Sequence, residues 1–328
     1  MDYLDPATRA RVMNVIHSAD TGKGRPIEEL IKTQESLKGQ ESQRLRTYCT
    51  TQMMIPNRDL DAYGTLLGTA DVIRVRADFE MRVERHLKVI SATSVDLEAS
   101  KEAARAAAAD ELYQMRWGPT RVPIYNLLGL FTLLYPPERT SYLSIAKYLI
   151  KTARVPVDGT DLSGTRALSH CFSTKPGFDL EYAQILYDAG GDVNSRNRYG
   201  SSVAQEIVQV YKPGDRDAVT RAHAALEWFL RHGGNIDLAD EDGFTVRMTI
   251  DQTLRKIPTL KGILKLVEAE DARRKALGDT CCATCARTGE NTTLARCGKC
   301  KKVRYCVPRL RACQVLDWPK HKKTCKKL

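Results

Sequence analysis

The chain has 328 residues, a length that suits two or three domains rather than one small module. Its composition of 42% hydrophobic and 28% charged residues is ordinary for a soluble globular protein, and its formal net charge is +11. No secretory signal pattern opens the chain, and the longest apolar stretch, residues 122–137, is too short to span a bilayer. We therefore expect an intracellular protein of the nucleus or cytoplasm, without a membrane partner, in which thiols stay reduced.

Cysteine and positive charge are both concentrated at the C-terminal end. Of ten cysteines, eight lie between residues 281 and 325. Residues 271–328 contain 16 Lys and Arg against 4 Asp and Glu, a net charge of +12, whereas the preceding 270 residues contain 35 against 36, a net charge of −1. The basicity of the protein therefore belongs to its C-terminal tail.

Residues 1–117 are polar and helix-prone, and we interpret them as a helical N-terminal region of unknown role. Within this region, the alanine-rich and charged stretch 94–115 predicts a solvent-facing helix. The apolar stretch 122–137, which is bracketed by prolines, predicts a buried helix.

The middle of the chain contains three similar short blocks. Each has a β-branched residue, then two Asp or Asn residues three positions apart, then a closing glycine three positions later. These residues are Asp158, Asp161 and Gly164; Asn194, Asn197 and Gly200; and Asp237, Asp240 and Gly243. Asp and Asn side chains bond to turn backbone, and glycine tolerates positive φ, so each block predicts the same kind of turn.

Apolar helices that end in a glycine or a short loop precede these blocks, within residues 142–153, 181–191 and 223–234. A turn plus two helices that recurs every 36 to 43 residues is typical of a solenoid of stacked helix pairs. The segments "DLSGTRALSH" and "ILYDAGGDVN" resemble the ankyrin repeat, although its Thr-Pro-Leu-His segment is degraded here. The resemblance implies a degenerate ankyrin-like scaffold, and hence a binding surface, over residues 118–270.

The C-terminal cysteines have the spacing of metal ligands. Two C-x-x-C pairs are followed by three cysteines and a histidine. The C-x-x-C spacing allows two sulfurs to bind one tetrahedral ion. The eight candidate ligands are Cys282, Cys285, Cys297, Cys300, Cys306, Cys313, His321 and Cys325. They are enough for two closed, structural Zn²⁺ sites, and disulfides, a redox C-x-x-C or an iron–sulfur centre fit the pattern less well.

The order of these residues resembles the MYND-type zinc finger. Over residues 282–325 the chain has C-x2-C twice, then Tyr-Cys, Cys-Gln, a Trp and H-x3-C. In that family the ligands interleave, so the resemblance implies one zinc on Cys282, Cys285, Cys306 and Cys313 and a second zinc on Cys297, Cys300, His321 and Cys325. Cys281 is one residue too early for the C-x2-C spacing and is either a spare thiol or an alternative ligand.

The separation between Cys306 and Cys313 departs from the family, because six residues lie between them where three are usual. Seven positions climb about 10.5 Å along a helix. Two sulfurs on one zinc lie less than about 4 Å apart, so one continuous helix cannot hold both. Either the extra residues bulge out before the helix starts, as Pro308 suggests, and the site is intact, or a splice-junction error has broken the first site.

The resemblance also implies a role in protein interaction. In the family the finger docks short proline-containing peptides of partner proteins, often transcriptional corepressors. Gln314 and Trp318 occupy the helix positions associated with that groove, and the alternative for Trp318 is packing in the small core. We predict a non-enzymatic adaptor of mainly α fold, with a helical N-terminal region, an ankyrin-like helix-pair solenoid and a small zinc-stabilised finger.

An alternative is an accessory subunit of a ubiquitin ligase or a lysine methyltransferase system. The chain lacks the Asn-His-x-x-x-Pro stretch of a SET domain, and its ligand order does not match the RING pattern. The tail keeps a charge of about +9 when two zinc ions and seven thiolates are included. This charge fits a solvated surface, a nuclear-import signal or non-specific attraction to nucleic acid.

Overall fold

The computed structural model describes residues 22–52, 54–92, 96–173, 178–210, 213–252, 254–290, 292–307 and 310–326. These residues are mainly helical, which confirms the predicted fold class, and no helix among them is long and apolar enough to cross a membrane. The chain divides into two compact units. The first comprises residues 1–171, 179–192 and 196–199, and the second comprises 172–178, 193–195 and 200–328. The predicted boundaries 1–117, 118–270 and 282–325 stay predictions.

The first unit is built from helices. In chain order they are α1 (Ile27–Leu30), α2 (Gly39–Thr51), α3 (Pro56–Asp59), α4 (Ala62–Gly68), α5 (Val72–Ser91), α6 (Leu97–Gln114), α7 (Ile124–Leu134), α8 (Arg139–Lys151), α9 (Ala167–Ser173, to Cys171 in this unit) and α10 (Leu180–Asp188). Aspartate N-caps fix where four of them begin, because each carboxylate accepts a first-turn backbone N–H. The capping residues of α4, α5, α6 and α10 are Asp61, Asp71, Asp96 and Asp179.

Helix α6 has a buried face, so the prediction of a solvent-facing helix was wrong. Ala104, Ala108 and Leu112 lie four residues apart on one side of α6, and all three are fully buried. This helix packs against α5, whose Val75 and Phe79 are buried as well. Alanine is a small side chain that also favours exposed helices, so its presence did not reveal the contact. The predicted buried helix over residues 122–137 is confirmed as α7, in which Leu127 and Leu128 are inaccessible.

The three predicted turns share one geometry. The closing glycines Gly164, Gly200 and Gly243 have φ values of +77°, +74° and +90°. Asp161 Oδ1 accepts the N–H groups of residues 163 and 165, both at 2.9 Å, and Asp240 Oδ1 accepts those of residues 242 and 244 at 3.0 and 2.9 Å. The turn prediction is therefore confirmed, whereas the ankyrin-like solenoid stays a prediction.

The second unit combines helices with a small zinc-finger segment. Its elements are α11 (Val203–Val208), α12 (Arg216–Arg231), α13 (Val246–Gln252), α14 (Lys261–Leu277), β1 (Leu294–Arg296), β2 (Arg304–Cys306) and α15 (Leu310–His321). Helix α12 packs against α11 and α14 through its buried face, which includes Leu226 and Phe229. Strands β1 and β2 pair antiparallel, with Leu294 opposite Cys306.

Candidate metal centres

The structure brings the eight predicted ligands together as two buried groups of four. One group contains Cys282, Cys285, Cys306 and Cys313, and the other contains Cys297, Cys300, His321 and Cys325. Within each group the ligand atoms lie within 4.8 Å of one another. These are the two interleaved sets that the resemblance implied.

The distances within the groups suit tetrahedral zinc. The Sγ atoms of Cys285 and Cys306 are 3.4 Å apart, and those of Cys297 and Cys325 are 3.9 Å apart. His321 Nε2 lies 3.4 Å from Cys297 Sγ. Zinc–sulfur bonds of about 2.3 Å at tetrahedral angles place two sulfurs about 3.8 Å apart. A disulfide requires a sulfur–sulfur distance of about 2.05 Å, and all ten cysteines are free thiols. The two groups therefore fit two zinc ions, one each.

The two C-x-x-C pairs form matching turns. The N–H of Ala286 bonds to the carbonyl of Cys282 at 2.9 Å, and the N–H of Lys301 bonds to that of Cys297 at 3.0 Å. Ala286 and Lys301, each directly after the second cysteine of its pair, have φ values of +53° and +58°. This left-handed residue turns the chain so that both sulfurs of a pair face the same ion.

The hairpin β1–β2 places Cys306 beside the first turn. The backbone N–H of Ala283 bonds to the carbonyl of Arg304 at 2.9 Å, so the residues next to the first pair run alongside β2. Between Arg304 and Cys306, the buried Tyr305 donates its hydroxyl to Asp317 Oδ2 at 2.6 Å. This bond ties β2 to helix α15, which carries Cys313.

The six-residue separation between Cys306 and Cys313 leaves the first site intact. Cys306 ends strand β2, and helix α15 begins at Leu310, so the two ligands do not share a helix. Pro308, which suggested a bulge before the helix, lies outside the described residues. Because the four sulfur atoms converge, the sequence does not need to be in error to explain the separation.

Local hydrogen bonds favour the thiolate form of Cys282 and Cys297, whereas hydrogen bonds with Cys282 raise the pKa of Cys306 and Cys313. Backbone N–H groups, above all that of Cys300, lower the pKa of the Cys297 thiol to about 6. Hydrogen bonds from neighbouring cysteine side chains, that of Cys285 first, lower the pKa of Cys282. Burial instead raises the pKa of Cys281, whose sulfur lies 3.7 Å from the carbonyl oxygen of Gly278. Cys281 belongs to neither group of four and is the spare thiol of the two alternatives.

Helix α14 holds the first zinc turn through its arginines. Arg274 donates to the carbonyl oxygens of Thr284 and Gly234, at 3.2 and 2.8 Å. Its guanidinium also bonds to the buried carboxylate of Glu270 at 2.6 Å, and Arg273 bonds to the same carboxylate. The sequence alone did not indicate this role, because the two arginines are also part of the basic C-terminal tail.

Thr284 links the first zinc turn to two other parts of the second unit. Its carbonyl accepts a bond from Asn235 Nδ2 at 2.9 Å, and its hydroxyl donates to the carbonyl of the ligand Cys313 at 2.6 Å. Asn235 lies just after the glycines that end α12, and its own N–H bonds to Asn194 Oδ1 at 2.8 Å. The finger is therefore hydrogen-bonded to the helices of its unit.

The two predicted peptide-contacting residues lie one turn apart on α15. Gln314 is half-buried, and Trp318 is 42% exposed, with its ring edge-on to that of His321 at a centroid distance of 6.0 Å. The small core of the finger is formed by the cysteine ligands with Tyr305, Leu294 and Val303. The structure therefore leaves much of the Trp318 indole at the surface.

Comparison with known proteins agrees with this geometry. Residues 282–325 match the family described as "MYND finger". The chain is also 46% identical over 66 residues to the "Zinc finger MYND domain-containing protein 10 homolog" of Drosophila melanogaster. That match covers 20% of this chain and only 13% of the relative, so it concerns a small part of each protein. The C-terminal segment 282–325 is a MYND-type zinc finger, a protein-interaction module with two metal centres.

Proposed function

We propose that the chain is a non-enzymatic adaptor whose finger docks short proline-containing peptides of partner proteins. The observation that carries the proposal is the exposed Trp318 beside two closed metal groups. Four protein ligands per ion leave no position for a catalytic water, so the zinc has a structural role. The chemistry available to the finger is therefore that of its surface.

Helix α15 offers a suitable surface for such a peptide. We define the α15 face as Gln314, Val315 and Trp318, which lie within one turn of one another. Val315 is 62% exposed and Trp318 is 42% exposed, so the face combines two apolar side chains with an amide. Proline-rich segments are pre-organised in an extended helix and lose little entropy when they pack against an indole.

We also infer that residues 118–270 serve as an ankyrin-like scaffold for a second partner. The shared turn geometry at Gly164, Gly200 and Gly243 supports this assignment. The N–H groups of Gly191 and Gly234 bond back five residues, to the carbonyls of Leu186 and Phe229, so the helices α10 and α12 end alike. Repeat scaffolds present their turns and concave sides to partners.

Peptide binding by the full chain tests the proposal. Fluorescein-labelled synthetic peptides with a Pro-Leu-Pro core would be compared, by anisotropy, with the same peptides in which alanine replaces each proline. We expect the proline peptides to bind more tightly, and Trp318→Ala to weaken that binding by about tenfold or more, as for a central aromatic contact. Phe244→Ala, which removes an aromatic side chain that is 59% exposed elsewhere in the second unit, is the matched control.

Tryptophan fluorescence is a second measurement of peptide binding at Trp318. Trp117 and Trp228 are 2% and 7% exposed, so acrylamide quenching reports mainly on Trp318. We expect the bound peptide to protect Trp318 from acrylamide. Equal binding of the proline and alanine peptides, or ubiquitin transfer by the isolated chain above the background of its Trp318→Ala variant, would contradict an adaptor of this kind.

A further inference from the structure

Metal binding in the finger gathers lysines around the second zinc group. Among the residues that the structure describes, seven exposed lysines lie within two residues of its ligands Cys297, Cys300, His321 and Cys325. They are Lys299, Lys301, Lys302, Lys320, Lys322, Lys323 and Lys326, and we name them the lysine collar. Two residues of chain span less than about 8 Å, and the four ligand atoms converge on one point. Lysines from two segments that are distant in sequence therefore lie near one group of four ligands.

The lysine collar has little negative charge beside it. Among the described residues of 292–326, Asp317 is the only acidic residue, and its carboxylate accepts the hydroxyl of Tyr305. Within the part of the chain that the structure describes, none of the seven lysines forms an ion pair. Three thiolates, a neutral histidine and Zn²⁺ together carry a formal charge of about −1, so the metal centre does not neutralise the collar.

Several arginines elsewhere in the described chain are paired with carboxylates. In the first unit, Arg82 pairs with Asp78 at 2.6 Å and Arg139 pairs with Asp179 at 2.7 Å. In the second unit, Arg247 bridges Asp237 and Asp271. These arginines have carboxylates beside them, whereas the seven collar lysines lie close together with little acidic charge nearby and can bind an external anion.

The collar is continuous with the α15 face. The backbone N–H of Lys322 bonds to the carbonyl of Trp318 at 2.9 Å, so the helical turn continues past His321 and Lys322 lies one turn after the indole. Lys320 lies two residues after Trp318. An apolar anchor seated on Trp318 would therefore have ammonium groups within reach of its flanking residues.

We propose that the lysine collar and the α15 face form one binding surface for a peptide that carries acidic side chains beside its proline-containing apolar core. The inference rests on the proposed peptide-docking function and names the chemistry of the partner. A peptide fits better than a nucleic acid, because the surface combines these cations with the exposed apolar side chains of Val315 and Trp318, against which proline and leucine side chains can pack.

The test compares two peptides with the zinc-loaded full chain. Both have a Pro-Leu-Pro core; one is flanked on each side by three glutamates and the other by three glutamines. We expect the glutamate peptide to bind at least about tenfold more tightly at low salt, with the advantage falling as salt rises toward 0.5 M. The double variant Lys302→Glu/Lys322→Glu should remove the advantage, and Lys88→Glu/Lys265→Glu, exposed lysines on α5 and α14, should keep it.

Each outcome bears on a different claim. Loss of the advantage in the collar variant, with two zinc ions still bound, supports the acidic partner. Equal binding of the two peptides, unaffected by the collar variant, overturns the acidic partner and leaves the docking function standing. If neither peptide binds, both proposals fail. If a mixed-sequence DNA oligonucleotide binds the collar more tightly than the glutamate peptide, the partner is a nucleic acid and the inference is overturned.

Discussion

Lys301 and Ala286 hold the two zinc turns in a conformation that L-residues seldom adopt. Their φ values are +58° and +53°, and the left-handed region costs a non-glycine residue roughly 1–2 kcal/mol. Ala286 is buried and Lys301 is exposed. The backbone cost can therefore be tested at Lys301 without disturbing the packing of the finger.

Replacing Lys301 with glycine should stabilise the finger. Glycine adopts the left-handed conformation without the energetic cost that lysine has there. Because glycine also has a larger entropy in the unfolded chain, part of this gain is offset, and we expect about 0.5–1 kcal/mol of added stability. Thermal unfolding of the zinc-loaded full chain measures the effect. Lys302→Gly, one residue further along and also exposed, is the control and should be neutral or destabilising. A destabilised Lys301→Gly would contradict the strain argument.

The lowered pKa of Cys297 predicts how zinc retention depends on pH. Backbone hydrogen bonds, above all that of Cys300, lower the pKa of its thiol from the ordinary value of 9.0 to about 6 in the folded chain without metal. A thiol whose pKa is lower in the folded chain than in the unfolded chain stabilises the folded chain. This stabilisation is complete above the unfolded pKa and is lost as the pH falls through the folded pKa. Because bound zinc competes with protons for the thiolates, we expect zinc to be released at a pH below about 6.

Zinc release can be followed by equilibrium dialysis between pH 8 and pH 4, with metal analysis of the retained protein. Reloading on return to pH 8 is the control for irreversible loss. Retention of both ions at pH 4, or their loss above pH 7, would show that thiolate protonation does not govern release in this way.

At the scale of elements, helix α14 positions the first zinc turn. The Glu270 carboxylate holds Arg273 and Arg274, and Arg274 donates to backbone carbonyls on the zinc turn and after α12. Because one buried carboxylate bonds to both guanidinium groups, the positions of both arginines depend on it. Removing the carboxylate would leave both arginines without their charge partner.

Glu270→Ala should therefore destabilise the second unit by about 2 kcal/mol or more, because a buried, charge-assisted network loses its acceptor. Chemical denaturation of the zinc-loaded full chain measures this loss. Glu268→Ala, an exposed glutamate on the same helix, is the matched control and should change stability by less than about 0.5 kcal/mol. Equal effects of the two substitutions would mean that Glu270 has no positioning role.

These elements also show what the sequence could and could not predict. The metal ligands could be predicted from the sequence, because two C-x-x-C pairs and an H-x3-C motif have the spacing of zinc ligands. The turns could be predicted as well, because Asp and Asn side chains bond to backbone within a few residues of their own position and glycine allows the positive φ that closes each turn. The buried face of α6 and the hydrogen bond of Arg274 to the carbonyl of Gly234 were not predictable, since both depend on which distant parts of the chain pack together.

At the scale of the whole molecule, the excess positive charge lies in the C-terminal residues, as do the two metal groups found among the described residues. Residues 271–328 carry a net charge of +12, while the remaining residues are nearly neutral. The sequence located this charge but did not show that the lysines converge. Their convergence follows from the shared ion, which brings residues 297–302 and 320–326 together.

The central claim is that the chain holds two zinc ions, one of them through Cys306 and Cys313 despite their unusual separation. Elemental mass spectrometry of the purified full chain tests it most directly, with the variants Cys306→Ser, Cys313→Ser and Cys281→Ser. We expect two zinc ions per chain, one in each of the first two variants, and two in Cys281→Ser, since that thiol belongs to neither group. One zinc ion per chain, unchanged by Cys306→Ser and Cys313→Ser, would contradict the account.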